Sequence, residues 1–172
     1  MQEYDVIVIG SGAGLAIANY SLNHGLKTAL VEGTFLGGTC LNVGCTPSKM
    51  IIHPADVITE IEEAKELGIH TEIQKIDFKH IIEKTKKFVE ESSNGILEAV
   101  KATPSLGYYP HMAKFVDDYT LEVGKEKIRG KNIFIAAGAR PLIPKIKGIS
   151  EIDYLTNNNM LNLKSAPKSM II

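Results

Sequence analysis

Cys40 and Cys45 are the only cysteines in the chain, and both lie in the run Gly37-Gly38-Thr39-Cys40-Leu41-Asn42-Val43-Gly44-Cys45-Thr46-Pro47-Ser48-Lys49. Two thiols this close point first to redox chemistry, a pair that passes between dithiol and disulfide. Upstream, Gly10-Ser11-Gly12 follows an apolar run. A glycine turn between a strand and a helix lets backbone N–H groups and the positive helix end approach a pyrophosphate. A nucleotide site thus precedes a candidate redox pair in one short stretch.

Geometry limits what the cysteine spacing can mean. In an ideal α-helix, positions five apart have Cα atoms about 8.5–9 Å apart, whereas a disulfide tolerates at most about 7 Å. The segment must therefore bend if Cys40 and Cys45 bond, and Gly44 is where the backbone yields most easily. Pro47 fits a first helical position with Thr46 as N-cap, which predicts a helix from Pro47 towards Leu67 that stops at Gly68. Cys45 then sits at the N-terminal end of that helix, where the dipole favours an anionic sulfur, and Cys40 on an exposed loop before it. Lys49 adds positive charge one turn on. From the residues alone, two inert buried thiols or half of a zinc site stay open. A zinc site lacks further ligands: there is no third cysteine, and no His-x3-5-His pair among His24, His53, His70, His80 and His111.

These residues need elements to hold them. Asp5-Val6-Ile7-Val8-Ile9 reads as a parallel strand buried on both faces, Ala13 to Asn23 as a helix ended by Gly25, and Thr28 to Val31 as a second strand. Together they make a βαβ unit with a right-handed crossover. Glu32, at the end of the second strand, is placed to accept from a ribose hydroxyl. The third glycine of G-x-G-x-x-G is replaced by Leu15, so close helix–strand packing must come from Gly14, Ala16 or Ala18. A tight turn that binds nothing is the bland alternative.

A long amphipathic helix is written from Phe78 to Val100, with Ile82, Thr85, Val89 and Ile96 on one face. Short strands at about His111–Val116, Thr120–Val123 and Glu126–Arg129 predict an antiparallel meander, and Asn132 to Ala136 a further buried strand. Ala137-Gly138-Ala139 follows as a tight turn, Pro141 to Gly148 as a linker, and a short helix is expected near Thr156. Ser169 to Ile172 resembles the first half of another buried strand, which suggests that the chain continues beyond it.

The chain has 172 residues, 44% of them hydrophobic and 23% charged, a globular balance. A formal net charge of −1, with lysines and glutamates interleaved, gives no basic face for nucleic acid or for an anionic membrane. No apolar stretch approaches the roughly 20 residues of a membrane span, and the first strand begins too early for a secretory signal. An intracellular, cytoplasmic protein is expected.

The run from Gly37 through Cys40 and Cys45 to Lys49 resembles the active-site signature of the class I pyridine nucleotide-disulfide oxidoreductases, and the likeness extends over essentially the whole chain. Within that family Cys-Leu-Asn-Val-Gly-Cys and Pro-Ser-Lys-Met are most similar to dihydrolipoamide dehydrogenase; mercuric reductase or another disulfide reductase is the alternative. The resemblance implies an α/β fold: a Rossmann-like FAD-binding domain with a parallel sheet, a helical pair and a small antiparallel meander. It implies an FAD-binding segment over residues 1–148, with residues 149–172 a connector and the start of an NAD(P)-binding domain. Gly10, Gly12 and Gly14 would then cradle the FAD pyrophosphate, and Glu32 with Gly33 would hold the adenosine ribose. Gly38, Thr39, Cys40 and Lys49 would line the flavin, Ala113 would meet the adenine by its backbone, and Ala137, Gly138 and Ala139 would form the turn leaving the FAD site.

By the same resemblance, Cys45 is the thiol beside the flavin and Cys40 the outer thiol that exchanges with a dithiol or disulfide substrate such as lipoamide. Electrons would pass through FAD to NAD(P). The family also implies a homodimer of the full-length protein, with no nucleic-acid or membrane partner. Ala137-Gly138-Ala139 stands where the family usually has Thr-Gly-Ser, and Thr46 where many dihydrolipoamide dehydrogenases have isoleucine. None of the five histidines takes the family's acid–base role, so the isolated chain is expected to bind nucleotide without turning over.

Overall fold

The apolar run that opens the chain lies inside strand β1 (Gln2–Ile9), which helix α1 (Gly14–Asn23) connects to β2 (Thr28–Val31). The structure, a computed structural model, describes residues 1–172. They divide into two compact units: residues 1–42 with 91–140, and residues 43–90 with 141–172.

The first unit holds one six-stranded sheet completed by β3 (Leu106–Tyr109), β4 (Ala113–Asp117), β5 (Thr120–Val123) and β6 (Glu126–Ile135). Its order is β3-β2-β1-β6-β5-β4. The β1–β2, β2–β3 and β1–β6 pairs are parallel, with Ile7 opposite both Ala29 and Ile133; β4, β5 and β6 form the antiparallel meander. One face packs on the helices through Val6, Val8, Ala18, Leu30, Leu36 and Val100. The other gathers Ile7, Ala29, Val31, Leu121, Val123 and Ile128. Ile7, Leu30, Leu121 and Ile128 are fully buried, each stabilising the fold by about 1.5–3 kcal/mol. The mixed α/β sheet is the fold class expected from the sequence.

Two strand assignments change. The expected strands Glu126–Arg129 and Asn132–Ala136 are one, β6, because Gly130 continues the strand where the Ile7 side chain needs room: a Cβ there would lie 2.9 Å from Ile7 Cδ1. Strand β3 carries no clear strand pattern in the sequence, since it has only four residues and contains Gly107. That glycine leaves space for the Tyr4 ring, whose hydroxyl hydrogen-bonds Tyr109 at 2.8 Å and Gln2 at 2.6 Å.

The second unit contains α3 (Cys45–Glu63), which passes through Pro54 into a 3-10 segment, Ala64–Leu67. Gly68 ends it with φ +80 and an amide bonded to Lys65 O, as the sequence predicts. The helix starts earlier than expected: its N-cap is Gly44, and Thr46 and Pro47 lie inside the first turn. Helix α4 (Phe78–Lys101) begins in this unit and ends in the first, and Asp77 caps it by accepting the His80 amide at 3.0 Å. The expected short helix near Thr156 is a turn followed by a 3-10 segment, Met160–Asn162. Ser169 to Ile172 forms no strand, and Ile171 and Ile172 are exposed.

Candidate functional site

Strand β1 ends where the sheet changes direction of winding. From Ile9 the chain leaves through α1 to β2 on one side, while β6, formed from the far end of this unit, lies on the other. That arrangement opens a crevice at the carboxyl ends of β1 and β6, the usual ligand position in open α/β sheets. Gly10 donates its amide to Val31 O at 2.8 Å, and Ala136 donates to Ile9 O at 2.7 Å, so the turn is bonded to both neighbouring strands. Gly10 has φ +101, and a Cβ there would run into the Ala136 carbonyl. No larger residue fits that turn.

Helix α1 starts immediately after it. Its N-cap is Ala13, and no side chain caps the helix. Within the first turn Leu15 donates to Gly12 O at 3.3 Å and Ala16 to Ala13 O at 3.2 Å, so it is the positive end of the dipole, with no side chain over it, that faces an anion. Gly14 supplies the close packing that Leu15 cannot, since a Cβ on Gly14 would lie 2.7 Å from Val8 Cγ1.

Glu32 follows β2, its amide bonded to Tyr109 O at 3.0 Å. Oε2 accepts the Ser11 amide at 2.9 Å and the Ser11 hydroxyl at 2.6 Å. Oε1 accepts the Thr34 amide at 2.9 Å and the Thr34 hydroxyl at 2.7 Å. Burial pushes the carboxyl pKa up, but the hydrogen bonds from Ser11 and Thr34 outweigh it and hold the group below the ordinary glutamate range. Glu32 is an ionised carboxylate with its orientation fixed.

Ser11 also ties in the next loop, because its Oγ accepts the Gly37 amide at 3.1 Å. Helix α2 (Gly38–Val43) starts there. Gly38 has φ +64 and lies against Gly12. Asn42, buried, donates to Leu36 O at 2.8 Å and Gly38 O at 2.9 Å, and Ser93 from α4 donates to the same Leu36 carbonyl at 2.9 Å. Thr39 and Cys40 therefore sit, exposed, in the first turn of a short helix and not on a loop.

Gly33 approaches the strand that carries Ala113: a Cβ on Gly33 would lie 2.8 Å from Met112 N. Ala113 opens β4 and packs against the core. Ala137, Gly138 and Ala139 are exposed beyond β6, with Gly138 at φ +70. In this unit Gly12 and Gly38 touch, Ser11 ties Glu32 to the glycine turn, Gly10 and Gly14 pack on the strand ends beside it, and Gly33 lies against Met112, next to Ala113. An uncapped helix start beside a half-buried, ionised carboxylate fits the pyrophosphate and ribose of a dinucleotide.

Cys45 and Lys49 belong to the other unit. Gly44, with φ −135 and ψ −118, separates α2 from α3, so the cysteines occupy different helices and the break falls where the sequence placed it. Cys45 is exposed at the first position of α3. Gly44 O accepts the Ser48 amide at 3.0 Å, and the Ser48 hydroxyl donates to Cys45 O at 3.1 Å. The first turn of α3 contains no acidic residue, and Lys49 is exposed.

Ser11, Thr34, Asn42 and Ser93 belong to the site without any signal in the apolar sequence pattern. Each is a small polar side chain whose role comes from where the backbone brings it, and only the position of Ser11 between two glycines could have marked one of them. Two clefts of about 360 and 610 Å³ lie elsewhere on the first unit, around Tyr4 and Lys27, and none of the residues above lines them. No cluster of three or more His, Cys, Asp or Glu side chains is placed to hold a metal ion. No helix is long and apolar enough to cross a membrane.

Comparison with known proteins gives a consistent picture. A family profile described as pyridine nucleotide-disulphide oxidoreductase matches residues 4–172. Mercuric reductase from Lysinibacillus sphaericus is 34% identical over 99% of this chain and 31% of its own length. Dihydrolipoyl dehydrogenase from Mycoplasma pneumoniae is 32% identical over 99% of this chain and 38% of its own. Glutathione reductase from a Nostoc species is 31% identical over 99% and 37%. Among solved structures, the HOCl-induced flavoprotein disulfide reductase RclA from Escherichia coli superposes with a TM-score of 0.78 at 29% identity, covering 94% of this chain and 34% of that one. The chain thus spans between 31% and 38% of the length of these three curated relatives.

Proposed function

Because this chain belongs to the pyridine nucleotide-disulphide oxidoreductase family, whose disulfide reductases depend on FAD and use NAD(P)H, we propose that it is the FAD-binding, cysteine-bearing portion of a dihydrolipoamide dehydrogenase-like enzyme. On this reading residues 1–148 are the first FAD-binding segment and residues 149–172 lead into an NAD(P) domain. The observation that carries it is the carboxyl edge of the sheet, where the uncapped start of α1 and the Glu32 carboxylate lie on either side of the Gly10 turn. Gly10, Gly12 and Gly14 let backbone amides reach the pyrophosphate, Glu32 and Gly33 receive the ribose, and the Ala113 backbone meets the adenine. Gly38, Thr39 and Lys49 line the flavin, with Ala137, Gly138 and Ala139 at its exit turn.

Bound FAD supplies the two-electron exchange between a nicotinamide and the cysteine pair. The protein's own part is thiol chemistry. A substrate thiolate attacks Cys40 Sγ of the Cys40–Cys45 disulfide, forming a mixed disulfide and leaving Cys45 as thiolate. The second substrate thiol displaces Cys40, closing the substrate disulfide and leaving both cysteines reduced. The enzyme works in the cytoplasm as a homodimer completed by segments outside this chain.

Mercuric reductase is the second reading, favoured by the relatives of that name at 34% and 31% identity. Steady-state assays of the full-length protein decide between them. Dihydrolipoamide oxidation with NAD, lost in Cys45→Ser, supports the first reading. NADPH oxidation that depends on Hg(II), with no dihydrolipoamide activity, overturns it in favour of the second.

A further inference from the structure

All the acceptor capacity of Glu32 is used within the protein. A carboxylate has about four lone-pair positions, and four donors fill them: the amide and hydroxyl of Ser11 on Oε2, and the amide and hydroxyl of Thr34 on Oε1. A ribose hydroxyl can bind only where one of these donors leaves. The amides are fixed by the backbone. The Ser11 hydroxyl has Phe35 O as a second acceptor at 3.3 Å, but the residue is 0% exposed and its oxygen holds the Gly37 amide, so its place on Oε2 is closed to a ligand. Thr34 is different: it is exposed, and rotation about its χ1 carries the hydroxyl to another staggered position without moving the main chain.

We propose that the Thr34 hydroxyl is a displaceable occupant of the ribose-binding position on Glu32 Oε1, and that it sets the affinity of this chain for an adenosine ribose diol. The inference rests on the FAD reading above and adds a residue that the reading does not contain. Ser11 and the Thr34 amide keep the carboxylate aligned while the hydroxyl leaves. Replacing an internal hydrogen bond by one to the ligand lowers affinity relative to a site with nothing to displace except water, by a factor of about five if the bond contributes about 1 kcal/mol.

The test is ADP binding by calorimetry, because ADP carries the ribose diol without needing the flavin half of the pocket. 2′,3′-Dideoxy-ADP, which lacks the diol, is the matched control. Thr34→Val keeps the branched shape and removes the hydroxyl, and it should bind ADP about fivefold more tightly with no change for the dideoxy analogue. Thr34→Ala should show the same gain, and Thr34→Ser should return the affinity to the parent value. Unchanged or weaker ADP binding by both hydroxyl-free variants overturns the proposal while leaving the ribose site standing. Equal affinity of the parent chain for ADP and its dideoxy analogue, or no binding of either, removes the ribose site and the proposal together.

Discussion

Gly38 meets Gly12 backbone to backbone: a Cβ on Gly38 would lie 2.5 Å from Gly12 Cα and 3.0 Å from its nitrogen. This contact sets the start of α2, and with it Cys40, against the nucleotide turn. Gly38→Ala should therefore cost about 2–4 kcal/mol, from backbone overlap added to a positive φ. Gly68→Ala is the control, with φ +80 but open space around it, and should cost about 1 kcal/mol. Urea midpoints of the two variants measure the difference.

Ser11 is the hub that joins the glycine turn, Glu32 and the Gly37 amide. Ser11→Ala leaves the partly buried Gly37 N–H without its acceptor and removes one donor from Oε2, so a loss of about 1–2 kcal/mol is expected. Nucleotide affinity should fall as well, because the carboxylate loses its alignment. An unchanged urea midpoint would contradict the hub role.

The pH dependence of Glu32 has a definite sign. Its folded-state pKa lies below the ordinary value of 4.5, so the stabilisation is complete above that value and is lost as pH falls through the folded pKa. Glu32→Gln keeps the shape but removes the charge. Its destabilisation, about 1–2 kcal/mol at neutral pH, should shrink in acid below the glutamate range. Denaturation curves of both proteins at several acidic pH values give the profile; a constant difference would contradict it.

Tyr109 gives the opposite limb. Burial, and then the hydrogen bond with Tyr4, push its pKa above the ordinary tyrosine value of 10.0. The contribution is present below that value and lost as pH rises towards the folded pKa. Tyr109→Phe should therefore show less alkaline destabilisation than the parent, and ultraviolet titration of the folded parent should show Tyr109, together with Tyr108, which burial also pushes up, ionising after the ordinary tyrosines.

Much of this arrangement was legible in the chain. Continuous apolar runs give β1 and β2, the three- and four-residue repeat gives α4, and Gly44 marks the break between the cysteines. What stayed hidden depends on distant partners. Gly107 looks like a strand breaker until the Tyr4 ring occupies its place, and Gly130 looks like a boundary until Ile7 packs across it. The loop before Cys45 is helical because Asn42 binds the Leu36 and Gly38 carbonyls, and Thr34 matters only because the chain bends back onto Glu32. Polar side chains of this kind carry no periodicity, so no pattern of apolar residues reveals them.

The central claim, that Cys40 and Cys45 form a redox pair working with a bound flavin, is tested most directly by anaerobic reductive titration of the full-length protein followed by visible absorbance. Two electrons for the disulfide and two for the flavin predict an uptake of about four per flavin in the parent and about two in Cys45→Ser. A parent protein that accepts only two, or a Cys45→Ser variant that still accepts four, would contradict the account.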